Sequence, residues 1–235
     1  MKTQKFHPLI LIPVLWLLMA FVAIPHALAG TYRNDFENEA DFLEDKAQGI
    51  WNFHVDSFTW EDGAIRGSGR GQLLMFGSVD WTDYTLEVKV QLQADSSGGI
   101  GLRFNEGPHY IFWVDEATDL VGVTEAASAG IDILGEESFT IEPGTWYSLK
   151  GVAAGNNLEF YINGERVIKV EHGDQSAGMA GICVLRGSIL FEDFVLTGPD
   201  VPDSGRWTVT AVSPTKWAEI KASTMKAHLN RKLGR

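Results

Sequence analysis

Gly99-Ile100-Gly101-Leu102-Arg103-Phe104, the turn Gly107-Pro108, and His109-Tyr110-Ile111-Phe112-Trp113-Val114-Asp115 form the stretch whose reading decides the fold. Successive side chains of a pleated strand point to opposite sides, so alternation over five or six residues marks a strand with one buried face. Ile100, Leu102, Phe104, Tyr110, Phe112 and Val114 fall on one side, which is a core. The other side carries Arg103, His109, Trp113 and Asp115, together with Ile111 and the glycines. This register predicts the indole of Trp113 and the guanidinium of Arg103 side by side in the open, a combination suited to a polar ligand with an apolar flank.

The rest of the chain is consistent with a single all-β domain. Residues 1–29 read as an export signal: Lys2 and Lys5 open it, an apolar run follows, and Ala27-Leu28-Ala29 offers a small-x-small cleavage site. A retained membrane anchor is the alternative. The expected location is secreted, or periplasmic and cell-envelope. The single Cys, Cys183, lies in the apolar run Ile182-Cys183-Val184. It has no internal disulfide partner, and with no basic neighbour it reads as a buried, inert thiol.

Charge divides the chain. Residues 30–205 hold 10 Lys and Arg against 30 Asp and Glu, a net of −20, whereas residues 206–235 hold 7 against 1, a net of +6. An acidic body excludes nucleic acid as the principal partner, because phosphate binding needs a basic face.

Short strand-like runs separated by turn residues fill residues 32–196, the pattern of a sandwich. The clearest are 50–55, 57–60, 64–66, 72–76, 84–92, 146–153, 157–162, 166–170, 180–185 and 189–196. Asp62-Gly63 and Asn163-Gly164 accept positive φ and should close tight hairpins. No helix is expected before residue 213. Residues 30–198 thus form the sandwich and 199–212 a linker. From 213 to 235, after a Ser213-Pro214 helix start, comes a basic amphipathic tail, read either as a frayed, solvated segment or as one that would dock on the acidic body or on an anionic envelope surface.

Trp60-Glu61-Asp62-Gly63, Trp81-Thr82-Asp83-Tyr84-Thr85-Leu86-Glu87, Gly98 to Phe104, Trp146-Tyr147-Ser148-Leu149-Lys150, Asn163-Gly164-Glu165 and Phe191-Glu192-Asp193-Phe194 together resemble the concanavalin A-like lectin/glucanase jelly roll. Within it they resemble the laminin-G-like and 3-keto-disaccharide hydrolase branches. The resemblance covers about residues 31–198 and implies a jelly-roll sandwich of two antiparallel sheets. The hydrolase branch carries a Tyr-Glu-x-Gln run after a Gly-x-x-x-Arg strand. Here Arg103 matches the Arg and Tyr110 the Tyr, but Ile111 and Trp113 stand at the Glu and Gln positions. That exchange removes an acid or base and leaves an aromatic suited to stacking on a sugar ring.

Other residues carry candidate chemistry. Glu39-Ala40-Asp41-Phe42-Leu43-Glu44 matches the letters Glu-x-Asp-x-x-Glu of laminarinase-like enzymes, but its polar setting reads as a solvated loop. Lys150, Glu159 and Tyr161 face outward together and could bond sugar hydroxyls. The sequence requires no cofactor; the one metal it admits is a structural Ca2+ between Asp35 on the first strand and Asp193 on the last. His54, His109, His172 and His228 are too scattered in sequence for a zinc motif. Ser68, in Gly67-Ser68-Gly69-Arg70-Gly71, lacks a nucleophile-elbow setting and reads as a loop rimming a site. Trp60, Trp81 and Trp146 read as packing residues, with Trp51 outside like Trp113.

Three functions are compatible with these residues. The first is a secreted, non-catalytic module binding an oligo- or polysaccharide through Trp113, Arg103, His109 and Asp115, with Lys150, Glu159 and Tyr161 as a second set. The second is a glycoside hydrolase of the 3-keto-disaccharide type, with Arg103 positioning substrate and Asp115 or Glu159 as acid or base. The third is an adhesion or scaffold domain, which would show a broad apolar patch without a cleft.

Overall fold

A computed structural model of the chain describes residues 29–47, 50–105, 107–127 and 130–203. The signal segment, the tail and most of the linker lie outside the described residues. Fourteen strands are described: β1 (Gly30–Asn34), β2 (Trp51–Phe53), β3 (Phe58–Glu61), β4 (Ala64–Gly69), β5 (Gln72–Phe76), β6 (Tyr84–Leu92), β7 (Ser97–Phe104), β8 (His109–Asp115), β9 (Leu120–Ala127), β10 (Gly130–Ser138), β11 (Trp146–Ala154), β12 (Asn157–Ile162), β13 (Glu165–Glu171) and β14 (Met179–Gly198). All their pairings are antiparallel.

They form a jelly-roll sandwich of two sheets. Sheet I runs β13-β12-β11-β6-β14, with β1, β4 and β3 beyond β14; sheet II runs β10-β9-β8-β7-β14-β5-β2. The 20-residue β14 belongs to both: residues 180–184 lie between β5 and β7, and residues 187–198 pair β4, β1 and β6. The crossing falls at Arg186-Gly187, where Gly187 has φ 82°. Sequence alone suggests two strands here, 180–185 and 189–196, because the intervening Arg-Gly-Ser resembles a turn.

The core is built by alternation. In β6, Tyr84, Leu86, Val88, Val90 and Leu92 are buried while Glu87 and Lys89 are exposed. Ile100, Leu102, Phe112 and Val114 of sheet II meet Leu149, Leu158, Phe160 and Ile162 of sheet I in one cluster, and the Phe112 and Phe160 rings pack edge to face at 5.6 Å. The sheets approach closely at Gly151, where a Cβ would stand 2.7 Å from Ile100 Cδ1 and 3.1 Å from Leu102 Cδ1. Cys183 is buried, and burial pushes its thiol pKa up to about 12, as expected of an inert thiol.

Both predicted hairpins form: Asp62 and Gly63 have φ 49° and 88°, Asn163 and Gly164 φ 51° and 84°, the two positive values of a type I′ turn. Four expectations change. The run 39–44 lies in a helix, α1 (Glu39–Ala47), not a loop: Asn38 caps it by accepting from the Ala40 N–H, and Phe42 is buried against Phe36. Its capping Asn, early acids and late Lys46 are helix signals that resemble the polarity of a loop. Trp51, expected outside, is 1% exposed and lies in the core between Phe76 and Phe194. Ser68 is inside β4, hydrogen-bonded to Ser188 of β14, so Gly67 and Gly69 belong to a strand and only Arg70 and Gly71 form the turn to β5, not a loop around a site. Strands β9 and β10 were not anticipated; β10 is an edge whose Asp132, Glu136 and Glu137 replace apolar alternation with charge.

Two glycine substitutions separate backbone from packing effects. No atom lies within 4 Å of a Cβ at Gly164, so Gly164→Ala is expected to lower stability by ~1 kcal/mol through its positive φ alone. Gly151→Val, which forces methyl groups between the sheets, is expected to cost ~1–3 kcal/mol. Urea denaturation of the two variants measures both.

Candidate functional site

The residues grouped by alternation around β7 and β8 do not share one open face. β7 carries an extra residue opposite β14, since Met179 pairs with Phe104 but Gly181 with Gly101, and Arg103 within that bulge has φ 53°. A bulge inverts the alternation of the residues beyond it. Arg103 therefore turns inward and is 1% exposed, while Phe104 turns outward to pack with Met75, Met179 and Phe53. The expectation of an open Arg103 and a core-facing Phe104 is corrected on this ground. The Arg103 guanidinium donates to Thr82 O from Nε and Nη2 (3.0 and 2.9 Å) and to Gln175 O from Nη1 (3.0 Å), and its backbone N–H donates to the Tyr84 hydroxyl. It ties the loop before β6 to the loop before β14.

His109 is also buried, at 7% exposure, against Phe104. Its Nδ1 lies 2.5 Å from Gly107 O, which assigns the proton to Nδ1 and leaves Nε2 without a partner. Burial holds its pKa below the usual histidine value. Trp113 points away from the core as expected but is half-buried, its ring lying over Gly122 of β9, where a Cβ would come within 2.3 Å of the indole. Asp115, at the far end of β8, is bound to Arg186 Nη2 at 3.0 Å and caps the Ala117 N–H. Arg103 stands four residues along β7 from Gly99, the partner of Trp113, roughly 13 Å away at strand rise. The open Arg–Trp pair is absent.

The second set does converge. On the outer face of sheet I the register aligns Arg33, Val195, Glu87, Lys150, Tyr161 and Arg166 in one row across six strands. The Lys150 ammonium lies 4.3 Å from the centre of the Tyr161 ring. The Tyr161 hydroxyl donates to Glu159 Oε2 at 2.5 Å, and Glu159 Oε1 also meets Lys169 Nζ at 3.0 Å and Arg166 Nη1 at 3.5 Å. The bond from Tyr161, followed by that from Lys169, holds the Glu159 carboxyl below its usual pKa, so it stays ionised and is poorly suited to act as a general acid.

Two cavities open along this face. The larger, about 580 Å³, is lined by Tyr32, Arg33, Asn34, Asp35, Asp41, Asp45, Asp193, Phe194 and Val195. The smaller, about 320 Å³, adds Glu87, Val88, Lys89 and Ser148 and shares Arg33, Asp193 and Val195 with the first. A second bulge shapes their common wall: Lys89 pairs with Glu192 and Glu87 with Val195, and Asp193 between them has φ 52° and meets Lys89 Nζ at 2.7 Å. Burial raises the Asp45 pKa, against hydrogen bonds from Tyr32 and Asn34 that lower it.

Asp35 and Asp193, predicted as a calcium pair, line the same cavity. Among the described residues, however, the four aspartates of this cavity do not form a group whose ligand atoms lie within 4.8 Å of one another, and Asp193 is already bound to Lys89. Arg33, Asp41, Asp45, Glu87 and Lys89 were missed as wall residues. The alternation of β6 was a signal for Glu87 and Lys89; nothing local places α1 beside β14.

A family profile described as a 3-keto-alpha-glucoside-1,2-lyase-like domain matches residues 33–193. The carbohydrate-binding module CBM66 from Bacillus subtilis superposes with a TM-score of 0.54 at 20% identity, covering 64% of this chain and 92% of that one. The GH43 BlXynB protein from Bacillus licheniformis gives 0.54 at 17% identity, over 70% of this chain and 38% of that one. A protein with a galectin-like fold from Bacillus subtilis gives 0.53 at 10% identity, over 70% and 94%. At such identities these likenesses establish a shared jelly-roll fold. No curated protein matches the chain by sequence.

The geometry of Arg103 and His109 generates two expectations. Arg103→Met leaves the carbonyls of Thr82 and Gln175 without their donors and should cost ~2–4 kcal/mol in chemical denaturation. For His109, the unfolded chain takes up a proton near pH 6.5 that the folded chain resists, so its contribution is complete above that pH and is lost as the pH falls below it. His109→Leu should therefore flatten part of the fall in Tm between neutral and acidic pH, measured by thermal melts across that range.

Proposed function

The chain belongs to the 3-keto-alpha-glucoside-1,2-lyase-like domain family, and within it we propose an exported, non-catalytic domain that holds an oligo- or polysaccharide along the outer face of sheet I. The observation that carries this reading is the joining of the two cavities at Arg33, Asp193 and Val195, in the row that continues to Lys150 and Tyr161. A sugar chain presents many hydroxyls that donate and accept. The groove offers acceptors in Asp35, Asp41 and Glu87, donors in Lys89 and Lys150, and apolar contact from Val195. Charged partners make the strongest of such bonds. Because the Lys150 ammonium sits over the Tyr161 ring, recognition here rests on hydrogen bonding more than on bare aromatic stacking.

The non-catalytic part is supported by the residues that replace an acid and an amide in the family's pattern: Ile111 and Trp113 offer no proton. It is supported too by the partners of the two carboxylates named for catalysis. Asp115 is bound to Arg186, and Glu159 is kept ionised by Tyr161 and Lys169. Export is supported by the signal-like residues 1–29; the basic tail would dock on an anionic envelope or on the acidic body.

A glycan array of the purified protein, run with and without Ca2+, tests the reading. Retention of a glycan is expected to fall at least about tenfold in Glu87→Ala and Lys150→Ala, as for truncation of charged hydrogen-bond partners, and to persist in Trp113→Ala. Loss in Trp113→Ala with retention in the other two would move the site to sheet II. Turnover of a glycoside or 3-keto-glycoside by the wild type would replace the non-catalytic reading with the enzymatic one.

A further inference from the structure

At one end of sheet II the fold gathers side chains that no strand pattern connects. Tyr110 of β8 and Glu125 of β9 meet His172 and Asp174, which lie just after β13. The backbone N–H of His172 donates to Asn156 O at 2.7 Å, so the residue is anchored. Its Nδ1 lies 3.0 Å from the Tyr110 hydroxyl, with the two rings edge to face at 5.7 Å. That contact fixes the ring and turns Nε2 toward Glu125 Oε2 at 3.9 Å and Asp174 Oδ2 at 4.0 Å. Gln175 completes the frame: its backbone N–H donates to the Tyr110 hydroxyl (3.0 Å) and its Nε2 to Glu125 Oε1 (2.7 Å), leaving Oε2 of that carboxylate aimed at the imidazole.

The spacing is informative. Direct hydrogen bonds would close these gaps to about 3 Å, yet neither carboxylate does so, and the three ligand atoms stay within 4.8 Å of one another. Two ligand atoms each about 2.0–2.2 Å from a tetrahedrally bound ion stand about 3.4 Å apart, so the two imidazole–carboxylate gaps need to close by only about half an ångström to hold one. The donors fit the same reading. One imidazole and two carboxylates suit a first-row divalent ion, not Ca2+, and a second hydrogen bond on the far ring nitrogen is how metal-binding histidines are oriented. Arg103 is turned onto the Thr82 and Gln175 carbonyls and paired with Asp83 at 3.4 Å, so the two carboxylates beside His172 leave a local balance that favours a cation. Glu125 is buried while the Asp174 side chain is 74% exposed, which gives an entry path and coordination positions open to solvent.

We propose that His172 Nε2, Glu125 and Asp174 form a binding site for a Zn2+-class divalent ion, oriented by Tyr110 and Gln175. The site is separate from the sheet I groove and does not depend on glycan binding.

Calorimetric titration of the chelator-treated full-length chain with Zn2+, and the visible spectrum of its Co2+ form, test this. Saturable binding with a Co2+ d–d band is expected. His172→Ala and Glu125→Gln should weaken it by about tenfold or more, and Tyr110→Phe, which keeps the ring but loses the orienting hydroxyl, several-fold. His54→Ala should bind as the wild type does, and circular dichroism verifies that each variant is folded. Absence of saturable binding by the wild type, or a folded His172→Ala that binds as tightly as the wild type, would overturn the proposal and leave the cluster as a hydrogen-bonded clamp on residues 172–178.

Discussion

One strand has to serve two sheets. The first residues of β14 lie between β5 and β7, and after the positive φ at Gly187 the same strand lies between β4 or β1 and β6. A strand that leaves one sheet and enters another fixes the offset of the two layers. That offset decides which interior rows meet. Ile100 and Leu102 come down on Gly151, the one position of β11 with no side chain to exclude them. Burial of the joint core is the dominant favourable term, and it is available only in this alignment. A strand with a bend at a fixed glycine therefore sets the register for residues far from it in sequence.

Two of the bulges, at Arg103 and Asp193, are where this constraint becomes local chemistry. Each inserts a residue opposite a regular strand, each holds a non-glycine residue at positive φ, and each redirects one charged side chain. At Arg103 the guanidinium is turned inward, held by three contacts to backbone carbonyls and paired with Asp83 at 3.4 Å, which closes the end of the sandwich. At Asp193 the carboxylate is turned outward to Lys89, where it forms the wall between two cavities. The fold thus removes a cation from the face of sheet II and adds an ion pair to the face of sheet I. Polarity is concentrated on one outer face, while the other carries Trp113, Ile111 and the cluster of Met75, Phe104 and Met179. The broad apolar patch that an adhesion domain would present is not a free surface here, since Met75, Ile111, Phe104 and Met179 are all buried.

How charges are partnered decides which of them can act. Glu159, with a tyrosine, a lysine and an arginine around it, is held ionised and in place; such a group can accept hydrogen bonds but is poor at donating a proton. Asp115 is bound to Arg186. Glu125 and His172 stand differently, held by neutral partners on one side and left facing each other across a gap on the other. Neutral orienting partners preserve the capacity of a carboxylate and an imidazole to bind something else, and charged partners use that capacity up.

The sequence by itself determined everything that depends on neighbours along the chain. Alternation gave the buried faces of β6, β8, β11 and β12, and Asp62-Gly63 and Asn163-Gly164 gave two hairpins, because side-chain direction and positive φ are properties of one or two residues. Order and spacing of short motifs gave the jelly-roll class and the family. The outward grouping of Lys150, Glu159 and Tyr161 was legible for the same reason. Only the tertiary structure decided the phase beyond a bulge, which reversed Arg103 and Phe104. It also decided the burial of Trp51, the neighbours of α1, and the meeting of Glu125 with a histidine some fifty residues later in the chain. A bulge depends on the strand opposite and a cluster on which strand ends are adjacent, and neither partner is written within the segment it redirects.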